Sequence, residues 1–190
     1  AFTAAPVTVF LSGIIGSQFS PVKSLATLPM ALSIVGIAIF AIFAAKVMSI
    51  IGRRAGFIFA SIISSLSSLL AAYSIIIESF ILFNFACFLL GAGVAFSHQY
   101  RFAAVETVKK DMAPKAISII LLAGIGSAFI GPNVANITKD IIAEHLYAGS
   151  YIALAALTLT SIIFLLFYKD GHKPNRINKK TSRSYLELIS

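Results

Sequence analysis

Apolar residues fall into six stretches along the chain, separated by short polar connections. A helix needs about 20 predominantly apolar residues to cross the hydrocarbon core of a bilayer. The six stretches approach or exceed that length and cover residues 2–19, 25–51, 57–77, 80–100, 116–137 and 147–168. The pattern therefore predicts an all-α membrane protein with six transmembrane helices.

The composition excludes a soluble globular domain. Apolar residues make up 58% of the chain and charged residues only 12%, with a mean hydropathy of +0.94. Soluble domains carry about 25% charged residues and 45–50% apolar ones. The first stretch is short and rich in Ser and Thr, so we expect its helix to be truncated. Residues 1–168 are predicted to form the helical bundle.

The basic residues lie almost entirely on one side of the predicted bundle. Of the 15 lysines and arginines, only Lys23 and Lys139 fall in connections on the other side. Cytoplasmic loops of membrane proteins are enriched in Lys and Arg. We therefore expect the loops after the second and fourth helices, and a basic tail at 169–190, to lie in the cytoplasm with both termini. No single basic face exists, which argues against a nucleic-acid partner.

The loop after the second helix carries a recognisable motif. The run Ile51-Gly52-Arg53-Arg54-Ala55-Gly56 resembles the end of the signature of the major facilitator superfamily, G-x-x-x-D-R-x-G-R-R. The last three fixed positions match, whereas the family's Gly, Asp and preceding basic residue are replaced here by Ala45, Ser49 and Ile50.

Two further segments resemble the same family in the same order. Gly91 and Gly93 resemble the glycines of its fourth helix, and the segment from Gly124 to Gly131-Pro132 resembles a glycine-rich segment of its fifth. The run at 184–189 resembles the start of the linker to a second half. The resemblance implies two three-helix repeats that form the N-terminal half of a twelve-helix transporter of bacterial inner membranes.

The implied function is secondary active transport of a small molecule by alternating access. The expected partners are the lipid bilayer, the substrate, a C-terminal transporter half and, as a candidate coupling ion, a proton. A six-helix pore or scaffold without a transport cycle is the alternative. An enzyme is not expected, nor is a metal or cofactor, because the three histidines are scattered without ligand or catalytic spacing.

The resemblance also implies a cytoplasmic charge clasp that stabilises one conformer. Its residues would be Gly52, Arg53 and Arg54, with Glu106 and Asp111 as acidic partners. The alternative is that these arginines only set the topology of the chain.

The fifth predicted helix combines a proline with a ridge of small residues. Pro132 has no N–H and crowds the carbonyl four residues earlier, so we expect a kink. Small residues let helices approach closely in lipid. They recur at Ala123, Ser127, Gly131 and Ala135, and a hinge or packing role is expected for Gly124, Ser127, Gly131 and Pro132.

Few polar side chains lie inside the predicted spans, and no carboxylate lies in the middle of one. Unpaired polarity in hydrocarbon is costly and marks candidate substrate contacts. In the resembling family the first, second, fourth and fifth helices line the cavity. The candidate substrate-lining residues are therefore Ser12, Asn84, Cys87 and Asn133.

Overall fold

The structure, a computed structural model, describes residues 2–167, which form helices joined by short connections without a strand. The helices are α1 (Ala4–Phe19), α2 (Leu28–Ile51), α3 (Arg53–Ile76), α4 (Phe80–Ser97), α5 (Tyr100–Thr107), α6 (Ala113–Ile137) and α7 (Ala148–Phe167). Single 3-10 turns precede α2 and α6. The tail predicted at 169–190 lies outside the described residues.

Five helical stretches in the described chain are long and apolar enough to cross a membrane. They contain α2, α3, α4, α6 and α7. The sixth, α1, is predominantly apolar but has only 16 residues. The predicted all-α membrane fold is confirmed.

Helix α4 lies at the centre of the bundle and packs along both α2 and α3. Its glycines make this possible. A Cβ on Gly91 would collide with the α2 backbone at Ser33, and one on Gly93 would collide with the Ser64 side chain of α3. Small residues permit such close approaches between membrane helices. The two glycines therefore set the distances from α4 to its neighbours.

The other helices surround this central group. Helix α3 packs along α7, and α1 contacts α4, α6 and α2. Two helices remain mostly uncovered. The buried residues of α6 are only Ser127, Gly131 and Ala135, and α2 buries only five of its 24 residues. Both helices thus leave long apolar faces exposed.

The connections rich in basic residues lie at one end of the bundle, which we call the basic end. It holds the α2–α3 junction, α5 and the start of α6, with the basic residues Lys46, Arg53, Arg54, Arg101, Lys109, Lys110 and Lys115. The last turn of α7 lies there too, because Arg54 donates to the carbonyl of Leu166 at 2.7 Å.

The basic end differs from the sequence-based expectation in two places. The third helix begins at Arg53 rather than at 57, because Gly52, with φ of 87°, turns the chain within one residue. Glycine adopts positive φ at little cost. The second difference is the short helix α5, which carries Arg101 and Glu106 and occupies the position of the loop predicted after the fourth helix.

Candidate functional site

A bidentate ion pair links the two three-helix repeats at the basic end. In the first turn of α3, Arg53 donates from Nε to Oε2 of Glu106 at 3.0 Å and from Nη2 to Oε1 at 2.5 Å. Glu106 belongs to α5, which follows the fourth span. The planar guanidinium suits a carboxylate in this parallel arrangement, which is stronger and more directional than a single contact.

Two uncharged side chains complete the surroundings of Arg53. Its Nη1 donates to Oε1 of Gln99 at 3.5 Å and lies 4.0 Å from the sulfur of Met48. Nearby, the ring of Tyr100 stacks on Phe57, with centroids 4.1 Å apart. The arginine is therefore held between the end of α2, the start of α3 and the α4–α5 corner.

The neighbouring candidate residues take different positions. The guanidinium of Arg54 donates to the carbonyl of Leu166, in the last turn of α7. A cation near the C-terminus of a helix interacts favourably with the helix dipole. Asp111 is exposed, and within residues 2–167 the carboxylate paired with Arg53 is that of Glu106.

The small residues of α6 pack on the N-terminal half of α1. A Cβ on Gly131 would lie 3.2 Å from side-chain atoms of both Pro6 and Val7. Ser127 donates to the carbonyl of Phe2 at 3.4 Å and to that of Gly124 at 2.6 Å. Gly124 has no atom of another element near its Cβ position, and Ala123 is exposed. The packed ridge thus runs from Ser127 to Ala135.

Pro132 lies inside α6, which continues beyond it to Ile137. Asn133 is exposed, and its amide nitrogen donates to the carbonyl of Phe129 at 2.7 Å. Its amide oxygen remains available to a ligand or to solvent.

The other three substrate-lining candidates lie inside this half. Ser12 and Cys87 are fully buried, and Asn84 is nearly so. The amide nitrogen of Asn84 donates to the carbonyl of Phe80 at 2.8 Å, while its oxygen has no partner among the described residues. In the arrangement seen here, none of the three offers a side chain to a ligand outside the bundle.

Sequence reasoning missed a polar side chain beside this group. Tyr151 of α7 is fully buried, its ring makes an edge contact with Phe83, and its hydroxyl lies beside the Cys87 thiol without a regular hydrogen bond. The available signal was a tyrosine within an apolar span, away from the membrane interfaces where tyrosine is common.

Hydroxyl groups also connect α3 and α7. The hydroxyl oxygens of Ser61 and Ser161 are 2.9 Å apart, and the Ser65 hydroxyl donates to the carbonyl of Ala155 at 3.3 Å. Interhelical hydrogen bonds of this kind average about 0.6 kcal/mol in a membrane protein. These hydroxyl contacts therefore contribute more to the relative orientation of α3 and α7 than to the stability of their packing.

Residues 2–167 contain no group of three or more His, Cys, Asp or Glu side chains that could hold a metal ion.

Comparisons with known proteins agree with this architecture. The family described as the Major Facilitator Superfamily matches residues 1–189. A riboflavin transporter, RfnT, of Brucella anthropi is 30% identical over 190 residues, which cover 98% of this chain and 48% of the relative. YdeG of Bacillus subtilis, an uncharacterized MFS-type transporter, is 28% identical over 172 residues, or 88% of this chain and 40% of the relative.

A third relative, YddS of the same bacterium, is an uncharacterized MFS-type transporter 29% identical over 151 residues. Those residues cover 77% of this chain and 35% of the relative. The chain thus spans at most about half the length of these curated relatives. No solved structure matches the chain. The family match over nearly every residue confirms the resemblance seen in the motifs, and this chain belongs to the major facilitator superfamily.

Proposed function

We propose that this chain is the N-terminal half of a secondary active transporter that moves a small molecule by alternating access. The observation that carries the proposal is the family match over residues 1–189. A span of 48% or less of each relative fits one of two six-helix halves. In transporters of this architecture the substrate binds between halves near the midplane. The substrate would cross chemically unchanged, so no catalytic residue is assigned.

The exposed faces of α2 and α6 would contact the C-terminal half. These two helices bury less of their surface in this half than the other long helices do. A second bundle packed there would enclose a cavity whose near wall includes α1, α2, α4 and α6. Asn133 on α6 is then a candidate substrate contact. Ser12, Asn84 and Cys87 would reach a ligand only after a change of conformation.

The ion pair of Arg53 and Glu106 would act as a conformational clasp. It connects the junction of α2 and α3 with α5, and so joins the two repeats. Gly52 provides the turn, Arg54 fixes the end of α7, and Asp111 contributes negative charge at the same end. A clasp that forms in one conformer biases the equilibrium by its own free energy.

The basic end would face the cytoplasm, and the membrane would be a bacterial inner membrane. The uneven distribution of lysine and arginine supports this orientation, since cytoplasmic loops carry the excess. Both termini would then be cytoplasmic. A proton is the proposed coupling ion. All seven carboxylates of the chain lie at helix ends, in connections or in the tail, so its carrier would belong to the second half.

Riboflavin is the first substrate to test, because the relative RfnT is named a riboflavin transporter. An uncharged substrate fits this half, whose described spans carry no charged side chain near their centres. The complete gene product should allow a riboflavin-requiring bacterium without its own transporter to grow on low riboflavin, and should give saturable uptake of the labelled vitamin. If the complete gene product is present in the membrane but does not support growth on low riboflavin, riboflavin is rejected as the substrate.

A further inference from the structure

A small notch opens between α1, α2 and α4, on the side of α2 away from α3. Its volume is about 40 Å³, and its lining includes Thr8, Val9, Ser33, Ile34, Leu90 and Gly91. A larger apolar groove of about 390 Å³ lies where α2, α3 and α4 meet, on the other side of the α2–α4 contact. The notch is therefore formed by helices that the proposed function places on the wall of the substrate cavity.

The two hydroxyl groups of the notch can accept hydrogen bonds but have no proton left to donate. Thr8 donates to the carbonyl of Ala4 at 2.7 Å, and Ser33 donates to that of Met30 at 2.7 Å. A hydroxyl carries one donor and two acceptor lone pairs. Both side chains are at most 5% exposed. Their remaining lone pairs would therefore suit an O–H or N–H group that enters the notch.

The rest of the lining excludes a charged group. Val9, Ile34 and Leu90 are apolar, and the notch contains no carboxylate to balance a cation. A charge moved there without a partner would lose its hydration at great cost. One water-sized probe occupies roughly 10–15 Å³, so the notch has room for about three non-hydrogen atoms.

We propose that this notch binds the hydroxyl-bearing end of an uncharged substrate, with Thr8 and Ser33 accepting its hydrogen bonds. The assignment rests on the proposed function. The ribityl chain of riboflavin is such a group, with hydroxyls on successive carbons, whereas lumiflavin carries a methyl group in its place. Thr8 and Ser33 are then specificity-determining residues.

The test measures riboflavin uptake by the complete gene product carrying Thr8→Val or Ser33→Ala. Each change removes an acceptor, and Thr8→Val keeps the side-chain volume close to that of threonine. The loss of one neutral hydrogen bond should raise the KM for riboflavin roughly three- to tenfold. Inhibition by lumiflavin should stay unchanged. Thr8→Ser, which keeps the hydroxyl, should restore the KM.

Two controls separate binding from folding. Ser68→Ala removes a buried hydroxyl of α3 that does not line the notch, and it should leave the KM unchanged. Membrane abundance of each variant is measured in parallel. An unchanged KM in Thr8→Val and Ser33→Ala, or an equal loss for riboflavin and lumiflavin, would overturn the notch assignment alone. Absence of riboflavin uptake by the wild type would overturn both this assignment and the substrate proposal.

Discussion

Arg53 makes several contacts at once, of which the ion pair with Glu106 is the main one. The side chain of Arg53 is 22% exposed and that of Glu106 is 44% exposed, so water screens the pair only in part. Exposed ion pairs contribute roughly 0–1 kcal/mol. The paired geometry and the third contact to Gln99 place this one towards the upper end of that range. A bias of that size changes a two-state equilibrium about fivefold.

Removal of either Arg53 or Glu106 should therefore change the transport rate only modestly. We expect Glu106→Gln and Arg53→Gln each to change the maximal uptake rate of the complete protein by roughly two- to fivefold. The charge-swapped double variant, Arg53→Glu with Glu106→Arg, should recover part of the loss, because the pair is re-formed with opposite polarity. Initial uptake rates at equal membrane abundance give the comparison.

Asp111→Asn is the matched control for the clasp. It removes a carboxylate at the same end of the bundle, but one that does not pair with Arg53. Its uptake rate should stay close to that of the wild type. If Asp111→Asn and Glu106→Gln change the rate equally, overall charge at the basic end explains the effect and the specific clasp is rejected.

At the scale of elements, the packing of α6 on α1 depends on a few positions. The three buried residues of α6, namely Ser127, Gly131 and Ala135, are spaced four residues apart. Gly131 packs against α1, and Ser127 contacts Phe2, just before α1 begins. At Gly131 the approach is close, because an added Cβ would lie 3.2 Å from side-chain atoms of both Pro6 and Val7. Gly124 lies two turns earlier on the same helix, with no neighbouring element near its Cβ position.

Leucine at these two glycines should have very different effects. Gly131→Leu should hold α6 away from α1, and overpacking of this kind typically costs 1–3 kcal/mol. If one conformer loses about 1.4 kcal/mol, its population relative to the other falls roughly tenfold. Gly124→Leu makes a substitution of the same size where no atom of this half lies within 4 Å of the Cβ position, and it should leave the packing of α6 on α1 intact. Uptake and thermal unfolding of the complete protein are both compared.

Equal behaviour of the two leucine variants would contradict this packing role. Gly131→Ala provides a graded step, since its single methyl group requires a shift of only a few tenths of an ångström. It should retain more uptake than Gly131→Leu. Cys87→Ser changes little volume and should also fall closer to the wild type than Gly131→Leu does.

The helices themselves could be predicted from hydropathy, but their ends at the basic side could not. The membrane-crossing parts of α2, α4 and α7 agree with the apolar runs within a few residues. Helix α3 extends four residues further, to Arg53, because a helix can continue into water where apolar patterning stops. Helix α5 has one buried residue, Ala103, and its eight residues are mixed in polarity. Tertiary contacts of Tyr100 and Glu106 support it, and hydropathy does not register them.

For the candidate site, the sequence predicted which residues lie in the same region but not which of them make contact. Topology placed Arg53 at the same membrane side as both Glu106 and Asp111, but only the helical turn of α5 brings Glu106 into reach. The spacing of Ser127 and Gly131 indicated close packing without identifying α1 as the partner. For Ser12 and Cys87, polarity within a span indicated a substrate contact, while the structure shows burial between helices. Periodicity cannot distinguish those two surroundings.

At the scale of the whole molecule, coverage of the helices is uneven. Most of α3 and α4 is buried, whereas α2 and α6 expose large side chains such as Ile42 and Phe129. Lipid tails tolerate exposed apolar residues, so exposure alone does not require a protein partner. Together with the family match and the half-length span, this exposure supports the proposal that α2 and α6 contact a second bundle.

The two halves should therefore be separable but inactive apart. We expect residues 1–190 expressed alone to insert in the membrane without saturable riboflavin uptake, because alternating access moves one bundle against the other. Co-expression with the remaining part of the gene product as a separate chain should restore uptake and co-purification. Replacement of exposed α6 residues, for example Phe129→Lys, should weaken that co-purification. The matched change Phe164→Lys is on α7, which is not among the helices proposed to contact the second half. Phe164 is similarly exposed, and its replacement should leave the co-purification intact. Saturable uptake by residues 1–190 alone would contradict the half-transporter proposal and favour two copies of this chain as the complete transporter.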